Sequence, residues 1–291
     1  MSGVNAFGRA RPDGVTRVAT VNVNGIRAAA RKGMGSWLTA ADPDVLLLQE
    51  VRAPAQVVDT LLNDGSDRVW DVRVAESVLA GRAGVAIAVR CSGNGTVALQ
   101  EVRTNAVSPR VAEDTGRWIE ADFLGAQGQQ FTFVSAYLHS GEVGTVKLDN
   151  KLAHLAAVTD RLTELQKNAE SDGRNVIFGG DFNVVRSPLD IKNWKPNHNR
   201  RSGVLDEEIA FLKNWFTSGW RDVTRDYFGP HPGPYTWWSW RGKAFDNDAG
   251  WRIDYQVTTP SVTVVSVRVD RAPAYDQRFS DHAPLVVDYL L

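Results

Sequence analysis

The stretch NVIFGGDFNV, residues 175–184, ends an apolar run on Asp181 and Asn183, an acid and an amide one residue apart. The same device recurs along the chain. TVNVNG supplies Asn22 and Asn24, LLLQE supplies Glu50, SAYLHS supplies Tyr137 and His139, WRID supplies Asp254, and FSDHAPL supplies Asp281 and His282. Brought together, these ends hold four carboxylates, three amides and one or two imidazoles. That set suits phosphodiester hydrolysis. Glu50 and Asn22 offer hard oxygen ligands for Mg²⁺, which polarises phosphate oxygens and neutralises a leaving oxygen. Asp181 would orient or deprotonate a water, and Asn183 would hold that water or a phosphate oxygen. Asp254 would keep the His282 imidazole oriented and charged, and a cationic donor aimed at a phosphate oxygen is worth about 10²–10³ in rate. Each segment alone has a plainer use, because Asp and Asn side chains bond their own backbone in turns. Their joint presence in one chain is what points to a shared site.

The elements that must position them alternate. VTRVATVNVNGI (15–26) has strand composition, and a helix follows near residues 33–41. DVLLLQEV (44–51) is the continuous apolar run of a strand buried on both faces. Further strands are expected at 83–89, 116–123, 131–139, 175–184, 251–259, 262–269 and 283–291, with LGAQGQQ as a hairpin turn. Residues 147–167 carry the clearest helix, with Leu148, Leu152, Leu155, Ala156, Leu162 and Leu165 on one face and Lys151, Asp160, Arg161 and Glu164 mostly elsewhere. Another helix is expected near 206–216, after the basic loop KNWKPNHNRRSG. Roughly ten strands with few helices between them point to two packed sheets covered by helices. Residues 1–14 read as a disordered tail, and 15–291 as one domain.

Composition bounds the rest. With 33 basic and 34 acidic residues, net charge is −1, so any phosphate contact must be local. One cysteine, Cys91, excludes an internal disulfide and a cysteine-based metal site. The first fourteen residues are polar and Gly-rich, unlike a signal peptide, and no apolar run approaches a membrane span. A cytoplasmic monomer with no membrane contact is expected. Seven of ten Trp lie between Trp194 and Trp251, a density that means core or a stacking surface.

The segments TVNVNGIRA, LLLQEV, GRWIEADF, GGDFNVV, YTWWSW, GWRIDY and SDHAPL, in this order from Thr20 to Leu285, resemble the exonuclease III family of apurinic/apyrimidinic endonucleases. That family belongs to the endonuclease/exonuclease/phosphatase superfamily, with deoxyribonuclease I. The resemblance implies an α/β fold, a four-layer sandwich of two mixed sheets with helices outside. It implies Mg²⁺, or Mn²⁺ in its place, on Asn22 and Glu50 with Asp281 nearby, and Asp181 and Asn183 as candidates for a second ion. By the same resemblance Tyr137 contacts the scissile phosphate, Asp181 serves the attacking water with Asn183 in support, and Asp254 pairs with His282. Trp237, Trp251 and Ile253 wall a pocket for a flipped base-less sugar, favoured because its pairing is already lost. Asn24, Arg27, Arg200 and Arg201 join the substrate contacts, with Arg82, Lys147 and Lys192 as further phosphate candidates. The implied substrate is double-stranded DNA with abasic sites or 3′ blocks. It would be cut 5′ to the lesion, with 3′→5′ exonuclease and 3′-end-trimming activity. The alternative is a superfamily phosphatase or phosphodiesterase acting on inositol phosphate or phospholipid. Two positions depart from the family pattern: His139, where Pro or another non-basic residue is common, and Arg82, where Tyr or His is common.

Overall fold

The computed structural model describes residues 12–64, 69–91, 98–104, 106–107, 115–124 and 128–291. Most of the expected N-terminal tail, and the centre of the expected hairpin turn, lie outside these residues. In chain order the elements are β1 (Thr16–Asn22), α1 (Ile26–Arg31), α2 (Met34–Ala41), β2 (Val45–Gln49), α3 (Ala55–Asn63), β3 (Val69–Ala75), β4 (Val85–Cys91), β5 (Ala98–Arg103), β6 (Trp118–Leu124), β7 (Gln130–Tyr137), α4 (Val146–Asp172), β8 (Asn175–Asp181), α5 (Trp194–Asn197), α6 (Asp206–Thr217), β9 (Arg221–Asp222), α7 (Val223–Phe228), β10 (Asp254–Thr258), β11 (Thr263–Val269) and β12 (Leu285–Leu290).

The strands form two mixed six-stranded sheets, ordered β11-β12-β1-β2-β4-β3 and β5-β6-β7-β8-β10-β9. Alternation along the strands builds the layers. Val18, Val45 and Leu47 face the space between the sheets, where they meet Phe133, Ile177, Leu285 and Val287. Their neighbours Ala19, Val21, Leu46 and Leu48 face outward onto Trp37 and Val58 of the first helical layer. On the far side Phe178 and Trp118 pack on Leu155, Val158 and Leu162 of α4 and on Trp215 of α6. The result is the expected four layers, helix–sheet–sheet–helix.

Gly179 lets the two sheets approach closely at β8, and Gly180 lets β8 lie against its neighbour β7. A Cβ on Gly179 would stand 2.4 Å from Thr20 Oγ1 on the facing sheet, and one on Gly180 would stand 1.9 Å from the Ala136 carbonyl oxygen. The glycine pair in GGDFN is therefore a packing requirement that brings the two central strand ends together.

Two expectations on α4 need correction. Lys151 and His154 lie on its buried face, and Ala156 is exposed. The apolar face is rotated because an acid on α6, Glu208, gives Lys151 a buried partner. Among the described residues no helix is long and apolar enough to cross a membrane.

Candidate active site

Strand register brings the polar ends together. In the second sheet Tyr137 pairs with Asp181 across β7 and β8, and Asp181 pairs with Asp254 across β8 and β10. In the first sheet Asn22 ends β1 beside Gln49, and Glu50 follows directly. Asn24, Glu50 and Asn183 all have positive φ, between 46° and 53°. This left-handed step turns the chain sharply off each strand, and it is rare for Glu. Asn22 Oδ1 accepts the Asn24 N–H at 3.0 Å, and Asp181 Oδ1 accepts the Asn183 N–H at 2.9 Å. Both N-x-N and D-x-N are thus turn devices. Asp181 still has its second oxygen for chemistry.

The ends enclose a crater of about 580 Å³, lined by Glu50, Tyr137, Asp181, Asn183, Asp281 and His282 among others. Asn24, Trp237, Trp251, Ile253, Arg200 and Arg201 also line it. Asn22 and Asp254 lie just beneath, buried. His282 Nδ1 is 2.8 Å from Asp254 Oδ2, and its Nε2 is 3.8 Å from Asp181 Oδ2. The Asn22 amide nitrogen donates to both Glu50 Oε1 and Asp181 Oδ2, each at 2.9 Å. Asn183 Nδ2 donates to Asp181 Oδ2 at 3.2 Å and to the Leu138 carbonyl at 2.9 Å. Asp281 accepts from Asn24 Nδ2 at 2.8 Å and from Trp237 Nε1 at 3.0 Å.

The Asn22 carbonyl accepts the Asn24 N–H through one of its two lone pairs, and its nitrogen bridges two carboxylates. Two expectations change. Arg27 is exposed and lines a separate groove with Arg31, Gln56 and Thr60, because α1 turns it away from the crater. His139 is not in the crater wall. Its Nδ1 lies 2.8 Å from Nδ1 of His154, and it lines a neighbouring basic cavity of about 350 Å³ with Arg82, Arg117 and Lys147. Sequence reasoning also missed Arg52, which lines the crater and pairs with Glu50, and Arg117, which stacks 4.9 Å over the Tyr137 ring. Arg52 had a signal, two residues after Glu50. Arg117 opens the GRWIEADF strand, and only the sheet pairing of β6 with β7 reveals its neighbour.

The rings divide as their burial dictates. Trp237 and Trp251 meet edge to face at 5.6 Å in the crater wall. Trp238 is core, and Trp240 is 38% exposed. Arg252, between Trp251 and Ile253, points the other way. Its Nε donates to Asp190 Oδ1 at 2.6 Å, and its Nη1 and Nη2 donate to Asp222 at 3.0 and 2.9 Å, all buried. This buried fork fixes the strand entry that presents the two pocket residues.

Electrostatics favour a cation here. Burial pushes the Asp181 carboxyl up to about 7, and the Asp254 and Glu50 charges add to the rise while His282 opposes it. Burial lowers the His282 pKa, but the Asp254 and Asp181 carboxylates outweigh it and raise it to about 10. The Tyr137 phenol is held well above its ordinary value by burial and by Glu50 and Asp181, so it stays a donor. Asp181, Asp254 and His282 offer three ligand atoms within 4.8 Å of one another. A protonated imidazole bound to Asp254 cannot also coordinate, so of this set it is the Asp181 carboxylate that remains open to a hard cation.

A pH dependence follows. From an ordinary carboxyl value of 3.8 up to about 7, folded Asp181 keeps a proton that the unfolded chain releases. Stability contributed by Asp181 therefore falls as pH rises through that window and is level above it. In thermal melts with chelator, the cation-free protein is expected to lose midpoint temperature between about pH 4 and 7, and Asp181→Asn should flatten that loss. A wild-type slope retained in the variant would remove Asp181 as its source.

Two sheets joined face to face, with carboxylates and an Asp–His pair at their strand ends, define a hydrolase-type α/β sandwich. The chain belongs to the endonuclease/exonuclease/phosphatase family, whose profile matches residues 19–282. It is 29% identical over 265 residues to an exodeoxyribonuclease of Bacillus subtilis, covering 91% of this chain and 95% of the relative. It is 25% identical over 277 residues to a DNA-(apurinic or apyrimidinic site) endonuclease of Dictyostelium discoideum, covering 93% and 70%. Among solved structures, an AP endonuclease from Archaeoglobus fulgidus superposes with a TM-score of 0.73 at 24% identity, over 95% of this chain and 100% of that one.

Proposed function

We propose that this protein is a divalent-cation-dependent DNA-repair nuclease that hydrolyses the phosphodiester 5′ to abasic sites and also trims 3′ ends. The observation that carries the reading is the convergence of Glu50, Asp181 and the Asp254–His282 pair on one crater that Trp237, Trp251 and Ile253 also wall. The exodeoxyribonuclease and AP endonuclease relatives support the substrate class. Arg200 and Arg201 on the rim, and the basic cavity of Arg82, Arg117 and Lys147 that shares Ser140 and Gly141 with the crater, suit a polyanion. They reconcile DNA binding with a net charge of −1.

In this reading Glu50 and Asp281, with Asp181, would hold Mg²⁺ or Mn²⁺, which supplies charge neutralisation at the phosphate and leaving oxygen. Asp181 orients the attacking water, fixed by Asn22 and Asn183. His282, kept charged and oriented by Asp254, and Tyr137, kept protonated, donate to the phosphate oxygens as negative charge grows. The aromatic wall admits a base-less sugar, and burial of its apolar face favours flipping. One exposed cysteine, Cys91, agrees with a cytoplasmic protein, and we take it to act as a monomer built of one domain.

The test is a direct comparison of an abasic duplex and soluble inositol phosphates, each with Mg²⁺ and with chelator. Cleavage of the duplex only when Mg²⁺ is present supports the reading. Phosphate release from inositol phosphates without DNA cleavage moves the protein to the phosphatase branch. Within the same assay Glu50→Ala should raise the Mg²⁺ concentration for half-maximal rate by at least about tenfold, with most of the rate recovered at saturating metal. Failure of excess metal to restore activity would show that Glu50 is more than a ligand.

A further inference from the structure

Lys151 is a charged residue in the middle of a long helix, yet its side chain and that of Glu208 are both fully buried, 2.7 Å apart. Neither touches the crater. Replacing such a pair by apolar side chains is often neutral or stabilising, because two charges must be stripped of water to bury it. What an apolar pair cannot supply is directional bonding. The Lys151 ammonium donates to the carbonyl of Asn183 at 2.9 Å, to Ser202 Oγ at 3.1 Å and to the carbonyl of Ser140 at 3.3 Å. Glu208 accepts from Ser202 Oγ and the Gly203 N–H at 2.5 Å each, and from the Leu205 N–H at 3.2 Å.

These bonds join three loops distant in sequence: the exit of β7, the exit of β8 and the entry to α6. Each loop lines the crater, through Ser140 and Val143, through Asn183, and through Arg200 and Arg201. Contact between the loops is close. A Cβ on Gly141 would stand 2.3 Å from Ser202 Oγ and 2.9 Å from Lys151 Cδ. The chain from ammonium to chemistry is short, because the same Asn183 whose carbonyl Lys151 holds also bonds the Asp181 carboxylate twice.

We infer that Lys151 and Glu208 are positioning residues: together they lock the Asn183 turn and the Arg200–Arg201 loop into the geometry that orients Asp181 and grips the substrate. The assignment rests on the nuclease reading above. It makes this pair a determinant of rate, beyond any share in stability. Movement of a reacting group by about 1 Å can cost about 10²-fold in rate.

The experiment uses the full chain and two variants, the apolar pair Lys151→Leu with Glu208→Leu, and the single Glu208→Gln. Each is assayed on an abasic duplex well below its own melting temperature, with kcat and KM read separately. Hydrogen exchange at residues 182–184 and 199–205 is measured without DNA. The apolar pair is expected to melt cooperatively, with kcat lowered about ten- to a hundredfold, KM raised several-fold and exchange accelerated in both loops. Glu208→Gln keeps an acceptor for the ammonium and should lose less than the apolar pair while still exchanging faster than wild type. An apolar pair that is folded, with wild-type kcat and unchanged exchange, overturns the inference. Should that pair not fold, unchanged kcat and exchange in Glu208→Gln overturn it instead. A wild-type protein that fails to cut the duplex counts against the nuclease reading, and loop exchange then decides the positioning role on its own.

Discussion

Replacing His282 with Asn is expected to lower the rate of duplex cleavage by about 10³-fold while DNA affinity stays within a few-fold of wild type. The imidazole sits 8% exposed at the crater floor, held through Nδ1 by Asp254 and facing Asp181 through Nε2. Its neighbours keep it charged at neutral pH. Asn retains a donor of shorter reach and no charge, so the interaction lost is one that strengthens as the phosphate gains negative charge. In the proposed reading, binding draws on Arg200, Arg201 and the basic cavity, which the substitution leaves alone. Single-turnover cleavage and equilibrium binding measure the two effects separately. Cleavage near the wild-type rate would mean that another group meets the developing charge.

Arg252→Met is expected to destabilise the protein by about 3 kcal/mol or more, a fall of about 6 °C in melting midpoint for a chain of this size. The guanidinium is fully buried between Asp190 and Asp222 and lies 4.4 Å over the Tyr255 ring. Met fills similar volume but leaves both carboxylates short of a partner. Arg225 still reaches Asp190 at 2.5 Å and Arg186 still reaches Asp222 at 3.0 Å. The loss should therefore fall at the lower end of what breaking a buried pair costs. The neighbours of Arg252 in sequence are Trp251 and Ile253, so discrimination between an abasic site and an intact nucleotide should weaken as well. Chemical denaturation reads the first effect. A loss under about 1 kcal/mol would show that the remaining arginines suffice.

The strand ends were legible because the signal is local. A buried apolar run has period-two packing, and the left-handed step after it needs a side chain that can bond its own backbone, so D-x-N and N-x-N stand out. Two edge strands carried no such signal: β3 mixes exposed, intermediate and buried residues with no apolar run, and β9 is two residues long. The pattern on α4 misled, since Lys151 is charged and period alone assigns it to solvent; its burial depends on Glu208, 57 positions later. Arg252 is hidden for the same reason, its partners lying on two other elements. Arg27 was drawn in by its place beside Asn22 and Asn24, but the turn into α1 carries it out of the site. For Lys151 and Arg252 what could not be read was a pairing between distant segments.

One crater is proposed to cut DNA on the 5′ side of a missing base with the help of a hard cation. The decisive measurement is an end-labelled duplex carrying a single abasic analogue, incubated with Mg²⁺ and with chelator and resolved for cut position and end chemistry. One Mg²⁺-dependent product ending in a 3′-hydroxyl immediately 5′ to the lesion is the expected result. A cut on the 3′ side, a product of equal yield in chelator, or no preference for the abasic position over intact duplex would contradict it.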